Sequence, residues 1–202
     1  LDCTLRDGGY YNKWNFEKKY INYYLKAISD TNINFVEIGF RKLENSIALG
    51  ETAFSNEKFI NSLDLDENVN YGVMVNASDL FFDGKIIKNY RQLFPKKTKI
   101  RFIRIACHEY EIFKIKEIIN FLKKQNYLVF INLMQISEIK KKNLEKVIKF
   151  LNKTETDIFY IADSLGCLNP KKTQDLIIEI KKIWNKDIGI HAHDNLGLAL
   201  KN

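Results

Sequence analysis

The chain has 202 residues, 46% of them apolar, with a formal net charge of +7, which is enough material for a buried core. It contains no run of about 18 uncharged apolar residues, which excludes a membrane-spanning helix, and its opening LDCTLRDGG carries charges where a signal peptide needs an apolar stretch. The lysines are scattered through helical patterns such as KIKEIINFLKKQ and KKKNLEKVIKF, the mark of solvated helix faces and not of a nucleic-acid surface, and Cys3, Cys107 and Cys167 form no CxxC pair, so a zinc knuckle or disulfide framework is not expected and a reducing, cytoplasmic setting is the default.

In chain order, LDCTL at 1–5 reads as a first strand, followed by FEKKYINYYLKAISD. There Phe16, Tyr20, Ile21, Tyr24, Leu25 and Ile28 form one apolar helical stripe. Strands follow in NFVEIGF at 34–40, YGVMVN at 71–76 and IRFIRIAC at 100–107. EIFKIKEIINFLKK is a helix, YLVFINLM at 127–134 a strand, NLEKVIKFLNK a helix and DIFYIADS at 157–164 a strand. TQDLIIEIKKIW is the sixth helix, with Pro170 at its start, where a missing N–H costs nothing. DIGIHAHD at 187–194 is the seventh strand, and LGLALKN opens a seventh helix.

The strands begin roughly 30 residues apart, the length of a βαβ unit. Such alternation means right-handed crossovers and a parallel sheet. An open doubly wound sheet would show strands apolar on both faces; a barrel brings polar side chains to the C-terminal strand ends. Taking every second residue puts Asp7, Glu37, Asn76, Arg104, His108, Asn132, Asp163, His191 and His193 on one face at that end. Val36, Ile38, Val73, Val75, Ile103, Ile105, Ile131, Leu133, Ile188 and Ile190 fall on the other. The expected fold is therefore α/β: a single TIM (β/α)8-barrel catalytic domain over residues 1–202, truncated after the seventh strand. A barrel of this type has eight units, so the chain is read as a fragment of a longer protein in preference to an open barrel with exposed edges.

HAHDN at 191–195 uses two of the three histidines, two positions apart. On a strand both imidazoles reach the same volume and can grip one metal ion. Asp7 is the natural anionic third ligand, and two His plus one carboxylate leave coordination positions open for catalysis. Such N/O ligation suits Mn²⁺ or Mg²⁺ first, with Co²⁺ or Zn²⁺ compatible. His108 reads as a rim residue. Arg6, beside Asp7 and ahead of Gly8-Gly9, can hold a developing enolate oxygen if the glycines let the chain turn sharply.

TLRDGG, VEIGF, ADSLGCLNP and HAHDNLGLAL together resemble the DRE-TIM metallolyase superfamily, with LDCTLRDGGYYNKW most similar to its 4-hydroxy-2-oxovalerate aldolase-like branch. The resemblance spans the chain. It implies a TIM barrel with a divalent metal on Asp7, His191 and His193, and an enolate held by Arg6. Glu37 and Asp163 become acids facing or supporting the substrate, and Asn195 a support for substrate or metal. Arg104, His108 and Asn132 stand at substrate-binding positions. The branch has a catalytic histidine where this chain has Tyr10, so the general base falls to Tyr10, Tyr11, His108 or a metal-bound water. The implied function is cleavage or formation of a carbon–carbon bond next to a 2-oxo acid through a metal-stabilised enolate. The partners would be a small 2-oxo acid and an aldehyde, with neither nucleic acid nor membrane, and a homo-oligomer is compatible. An acyl-CoA-dependent carboxylate synthase and a non-catalytic metal-binding scaffold are the alternatives.

Overall fold

A computed structural model describes residues 1–43 and 48–202. The chain forms two compact units: residues 1–104 with 125–127, and residues 105–124 with 128–202.

In the first unit the opening segment is not a strand. Only Asp2 pairs with Val36, as an isolated parallel bridge. The Asp2 carboxylate accepts a hydrogen bond from the Thr4 backbone N–H at 2.9 Å and another from the Tyr24 hydroxyl. That pull turns the chain into two short helices, α1 (Thr4–Asp7) and α2 (Gly9–Asn12). Helix α3 (Lys18–Ser29) buries Ile21, Leu25 and Ile28. Tyr20, assigned to the same stripe, is exposed instead, with the Lys19 ammonium over its ring. Strand β1 (Phe35–Phe40) pairs in parallel with β2 (Asn70–Asn76), with an irregularity between Glu37 and Gly39. Between them the regular helix is reduced to α4 (Glu57–Asn61), capped by the Asn56 side chain. After β2 a short hairpin stands where a crossover helix is usual: β3 (Phe81–Phe82) against β4 (Lys85–Ile86). Asp83 and Gly84 make its tight turn at positive φ, the chemistry an Asp-Gly hairpin turn requires. The first half of β5 (Phe102–Cys107) lies next to β2.

In the second unit the order is β5, β6 (Leu128–Leu133), β7 (Ile158–Asp163) and β8 (Asp187–Ala192), with β6–β7 and β7–β8 parallel. Helices α5 (Lys116–Lys124), α6 (Lys141–Leu151) and α7 (Pro170–Lys181) connect them. Helices α5 and α6 each bury an apolar stripe, as the periodicity predicts; α7 buries only Thr173 and Ile180 and leaves Ile178 half-exposed. Pro170 takes the first turn of α7, and Asn169 caps it by accepting from the Lys172 N–H at 2.9 Å.

The inner layer of each unit is built on ring-over-glycine contacts. A Cβ on Gly72 would lie 2.4 Å from the Phe102 ring, and one on Gly189 would lie 2.2 Å from the Tyr160 ring. Large inward rings on one strand thus need glycine on the next. The opposite face is the expected apolar wall: Val36, Ile38, Val73, Val75, Ile103, Ile105, Ile131 and Leu133 are all fully buried. Ile188 and Ile190 of β8 are only half-buried.

Candidate functional site

The polar centre of the first unit is an ion-pair cluster. Glu37 sits on β1 with no exposed surface, between two guanidiniums. Its Oε1 accepts from Arg6 Nε at 2.6 Å and from Arg104 Nη2 at 3.0 Å. Arg104 Nε stands 2.8 Å from Oε2, off the line of a good hydrogen bond. Arg6 Nη1 donates to Asp7 Oδ1 at 2.5 Å. Two arginines and two carboxylates balance in charge, the condition on which buried ions persist. Burial, the largest single influence, works to lower the Arg6 pKa, but Glu37, Cys3 and Asp7 together outweigh it and the net direction is upward. Arg6 is therefore a fixed cation.

Arg6 and Asp7 come together by a different route from the one expected. Residues 4–7 are helical, so adjacent side chains fan around one turn instead of alternating. Gly8 has φ −60°, an ordinary helical value, and the turn does not depend on glycine flexibility. The glycines matter for space: a Cβ at Gly9 would lie 2.0 Å from the Trp14 ring. The indole of Trp14 donates to the Arg6 carbonyl at 2.8 Å. To reach it, the backbone takes the left-handed conformation at both Lys13 and Trp14 (φ 58° each), rare for non-glycine residues. Trp14 thus locks the segment carrying Arg6, a role that no spacing in the sequence signals.

Tyr10 is 63% exposed, its ring edge-on to Trp14 at 4.8 Å and to Phe40 at 6.2 Å. Burial of its phenol raises the pKa; Arg6 pulls it down, while Asp7, Asp79 and Glu37 push it up. Tyr10 is a neutral hydrogen-bond donor near pH 7. Cys3 lies in the field of the same cluster, and burial raises its thiol pKa as well.

In the second unit, the rings of His191 and His193 approach to 5.1 Å between centroids at 75°, both half-buried. The i, i+2 pairing on an extended segment is as expected. Asp163 is not on their face: β7 pairs Ala162 with His191 and Asp163 with Ala192. Its fully buried carboxylate accepts from the backbone N–H groups of Cys167 and Leu168, each at 3.0 Å. Register decides this: Asp163 shares its face of β7 with Phe159 and Ile161, which pair with Ile188 and Ile190 of β8 and with the wall residues Ile131 and Leu133.

Asn132 is 4% exposed and its amide oxygen has no hydrogen-bond partner among the described residues, uncommon for a buried polar atom. His108 stacks on Tyr110 (5.5 Å, 7°), and its backbone N–H donates to Glu111 at 2.7 Å. Asn195 is exposed and rests against Gly166, where a Cβ would meet its Oδ1 at 2.3 Å. Gly166 has φ +59°.

Among the described residues of either unit, no three His, Cys, Asp or Glu side chains gather to hold a metal. Within the second unit the two neighbouring imidazoles are donors of the kind a divalent ion takes; in the first, the Asp7 carboxylate is 41% exposed with one oxygen on Arg6.

A family model described as HMGL-like matches residues 67–202. The 4-hydroxy-2-oxovalerate aldolase of Geobacillus genomosp. 3 is 26% identical over the whole chain, which covers 59% of that enzyme. The enzyme of the same name from Pelotomaculum thermopropionicum is 25% identical, with 58% covered. The chain thus spans a little under three-fifths of the curated relatives it matches. Among solved structures, the N-terminal domain of a candidate aldolase from Bacteroides vulgatus superposes with a TM-score of 0.89 at 29% identity, covering all of this chain and 66% of that one. The HMG-CoA lyase of Bacillus subtilis gives 0.76 at 16% identity, covering all of this chain and 70% of that one. With the strand order above, these likenesses make the fold that of a truncated (β/α)8 barrel, and the matched family model leads to one conclusion: the chain belongs to the HMGL-like family.

Proposed function

We propose that the protein containing this chain is a divalent-metal-dependent aldolase that breaks or forms a carbon–carbon bond beside a 2-oxo acid. The observation that carries the reading is the buried Arg6–Glu37–Arg104 cluster. It holds one guanidinium rigidly, with no hydrogen bond from Nη2 among the described residues, next to a half-exposed carboxylate. The 4-hydroxy-2-oxovalerate aldolases among the relatives support the reaction class.

The motifs assign Asp7, His191 and His193 to the metal, with manganese or magnesium favoured by the mixed oxygen and nitrogen donors. When bound, such an ion supplies the Lewis acidity that makes the carbon beside the 2-oxo group acidic. The chain's own residues do the rest. In cleavage, a base takes the hydroxyl proton of the aldol and the O–H electron pair becomes the carbonyl of the leaving aldehyde. The pair from the broken carbon–carbon bond passes to the 2-oxo fragment as an enolate, which is then protonated at carbon. Arg6, preorganised by Glu37, holds the enolate oxygen. Tyr10, a neutral phenol, donates a hydrogen bond and leaves the base to another group. Asn132 offers its unpaired amide oxygen to substrate. Asp163 shapes the loop at 164–168 and acts on substrate only through it.

The test is deuterium exchange into the methyl group of pyruvate, catalysed by the full-length protein with Mn²⁺. Asp7→Asn is expected to lose metal and exchange together, and Arg6→Lys to slow exchange by about 10²–10³-fold. Undiminished exchange in EDTA-treated protein would overturn the proposal.

A further inference from the structure

Helix α1 carries both Arg6 and Asp7 in four residues. Helices shorter than about 12–15 residues have little stability of their own in water, so the direction of α1 is set by what holds its two ends. Its far end is tied by the Trp14 indole at the Arg6 carbonyl. Its near end rests on Asp2. The Asp2 backbone is fixed beside β1: its N–H donates to the Phe35 carbonyl at 2.9 Å, and its carbonyl accepts from the Glu37 N–H at 2.8 Å. From there the Asp2 carboxylate reaches forward to α1. Oδ1 accepts from the Thr4 N–H at 2.9 Å and Oδ2 from the Thr4 hydroxyl at 3.3 Å.

One further group holds that carboxylate. Tyr24, on α3, donates its phenolic proton to Asp2 Oδ1. As a member of the apolar stripe of its helix, Tyr24 would serve as well if it were phenylalanine. Its hydroxyl is spent on Asp2 alone among the described residues. Burial and the bond to Asp2 both push the phenol pKa upward, so near pH 7 it is a neutral donor. A hydroxyl on a carboxylate is a hydrogen bond of the stronger, charge-assisted kind. Asp2 is thus the point where β1, α3 and the start of α1 meet.

We propose that Tyr24 is a positioning residue: by holding the Asp2 carboxylate over the first N–H of α1, it sets the direction in which that turn presents Arg6 and Asp7. Its role rests on the aldolase reading for what Arg6 and Asp7 do, and on the contacts alone for what Tyr24 does. Tyr24 acts through Asp2 and not on substrate. Without the hydroxyl, the Asp2 side chain is free to turn about its own torsions, and the error passes along the turn to Arg6 and Asp7. Misplacing a reacting group by about 1 Å costs up to about 10²-fold in rate. Glu37 and Trp14 still hold Arg6, so the loss here is partial. It falls on kcat, because Arg6 holds a charge that develops only as the enolate forms.

The experiment compares Tyr24→Phe, Asp2→Asn and Asp2→Ala in the full-length protein by two readouts. The first is backbone hydrogen–deuterium exchange over residues 4–8, where the Asp7 and Gly8 amides close α1 on the Cys3 and Thr4 carbonyls. Tyr24→Phe, which keeps the ring, should speed exchange there at least about threefold and leave α3 as it is. The second is methyl exchange of pyruvate at saturating Mn²⁺. Tyr24→Phe should lower kcat about tenfold with the KM for pyruvate within about twofold. Asp2→Ala should lose at least as much, and Asp2→Asn, which keeps an oxygen for Thr4 and Tyr24, should recover most of that rate. Adding Tyr24→Phe to Asp2→Ala should cost nothing more. A hydroxyl that only stabilises the fold would lower the thermal midpoint and leave kcat and the protection of residues 4–8 unchanged. That result overturns the proposal, and so does full additivity of Tyr24→Phe and Asp2→Ala. If the wild type exchanges no pyruvate while Tyr24→Phe loosens residues 4–8, the aldolase reading falls and the hold of Tyr24 on α1 stands.

Discussion

Glu37 shows how far a residue's surroundings decide its role. As one carboxylate among several at a strand end, it reads as an acid facing substrate. In the structure both of its oxygens are taken up with Arg6 and Arg104, and none of its surface is exposed. Its work is to aim Arg6. Glu37→Gln removes the charge and leaves two guanidiniums in a buried cluster, a loss of about 3–5 kcal/mol for breaking such an arrangement. Urea unfolding should read it directly, and a loss below about 1 kcal/mol would contradict the account. Asp163 makes the same point. Its neighbours in sequence suggest catalysis, but its two oxygens are occupied by the Cys167 and Leu168 N–H groups. Trp14 is the reverse case: it looks like an ordinary core aromatic and ties down the carbonyl of Arg6.

Among the elements, the strands after the first, and helices α3, α5, α6 and α7, were legible because each buries side chains on one face, and burial imposes a period of two or of 3.6. Their observed ends fall within a few residues of the expected ones. Two elements were not legible. LDCTL has strand composition but forms only one bridge, because Asp2 accepts from Thr4 and starts a helical turn. The segment after β2, for which no element is predicted from the sequence, forms a hairpin held by its Asp83-Gly84 turn. Neither outcome depends on periodicity. Strand register was likewise hidden, although glycine and aromatic positions encode part of it. Gly189 lies under the Tyr160 ring, so Gly189→Ala forces the ring or the strand to shift. It is expected to cost about 1–3 kcal/mol, the usual penalty for overpacking, as a lowered thermal midpoint; an unchanged midpoint would mean that the ring moves freely.

For the molecule as a whole, buried phenols set the response to alkali. Tyr127 donates to the Pro95 carbonyl at 2.6 Å. Burial pushes its pKa up to about 12; Arg41 pulls downward and Glu57 upward. Burial raises Tyr24 and Tyr71 too, with the hydrogen bond to Asp2 adding to the shift of Tyr24. A folded-state pKa above the unfolded value near 10 means that the native protein holds its proton longer. The stabilisation is therefore complete below about pH 10 and is lost as pH rises toward 12. Tyr127 alone accounts for about 2–3 kcal/mol of that decline at two pKa units. Tyr127→Phe should flatten the fall in urea-unfolding free energy across this window, and an equally steep fall in the variant would count against the assignment.

The sequence by itself determined the class of fold and the family, and nominated the residues proposed to carry the chemistry. Those follow from local periodicity and from short motifs whose members are close in the chain: Arg6 with Asp7, and His191 with His193. Only the tertiary structure decided which carboxylates are free and which are occupied, that a helical turn and not a strand presents Arg6 and Asp7, and that Tyr24 of α3 holds the carboxylate at the start of that turn. The physical reason is that a side chain's availability depends on partners distant in sequence, such as Arg6, Glu37 and Arg104, whose pairing no local pattern records.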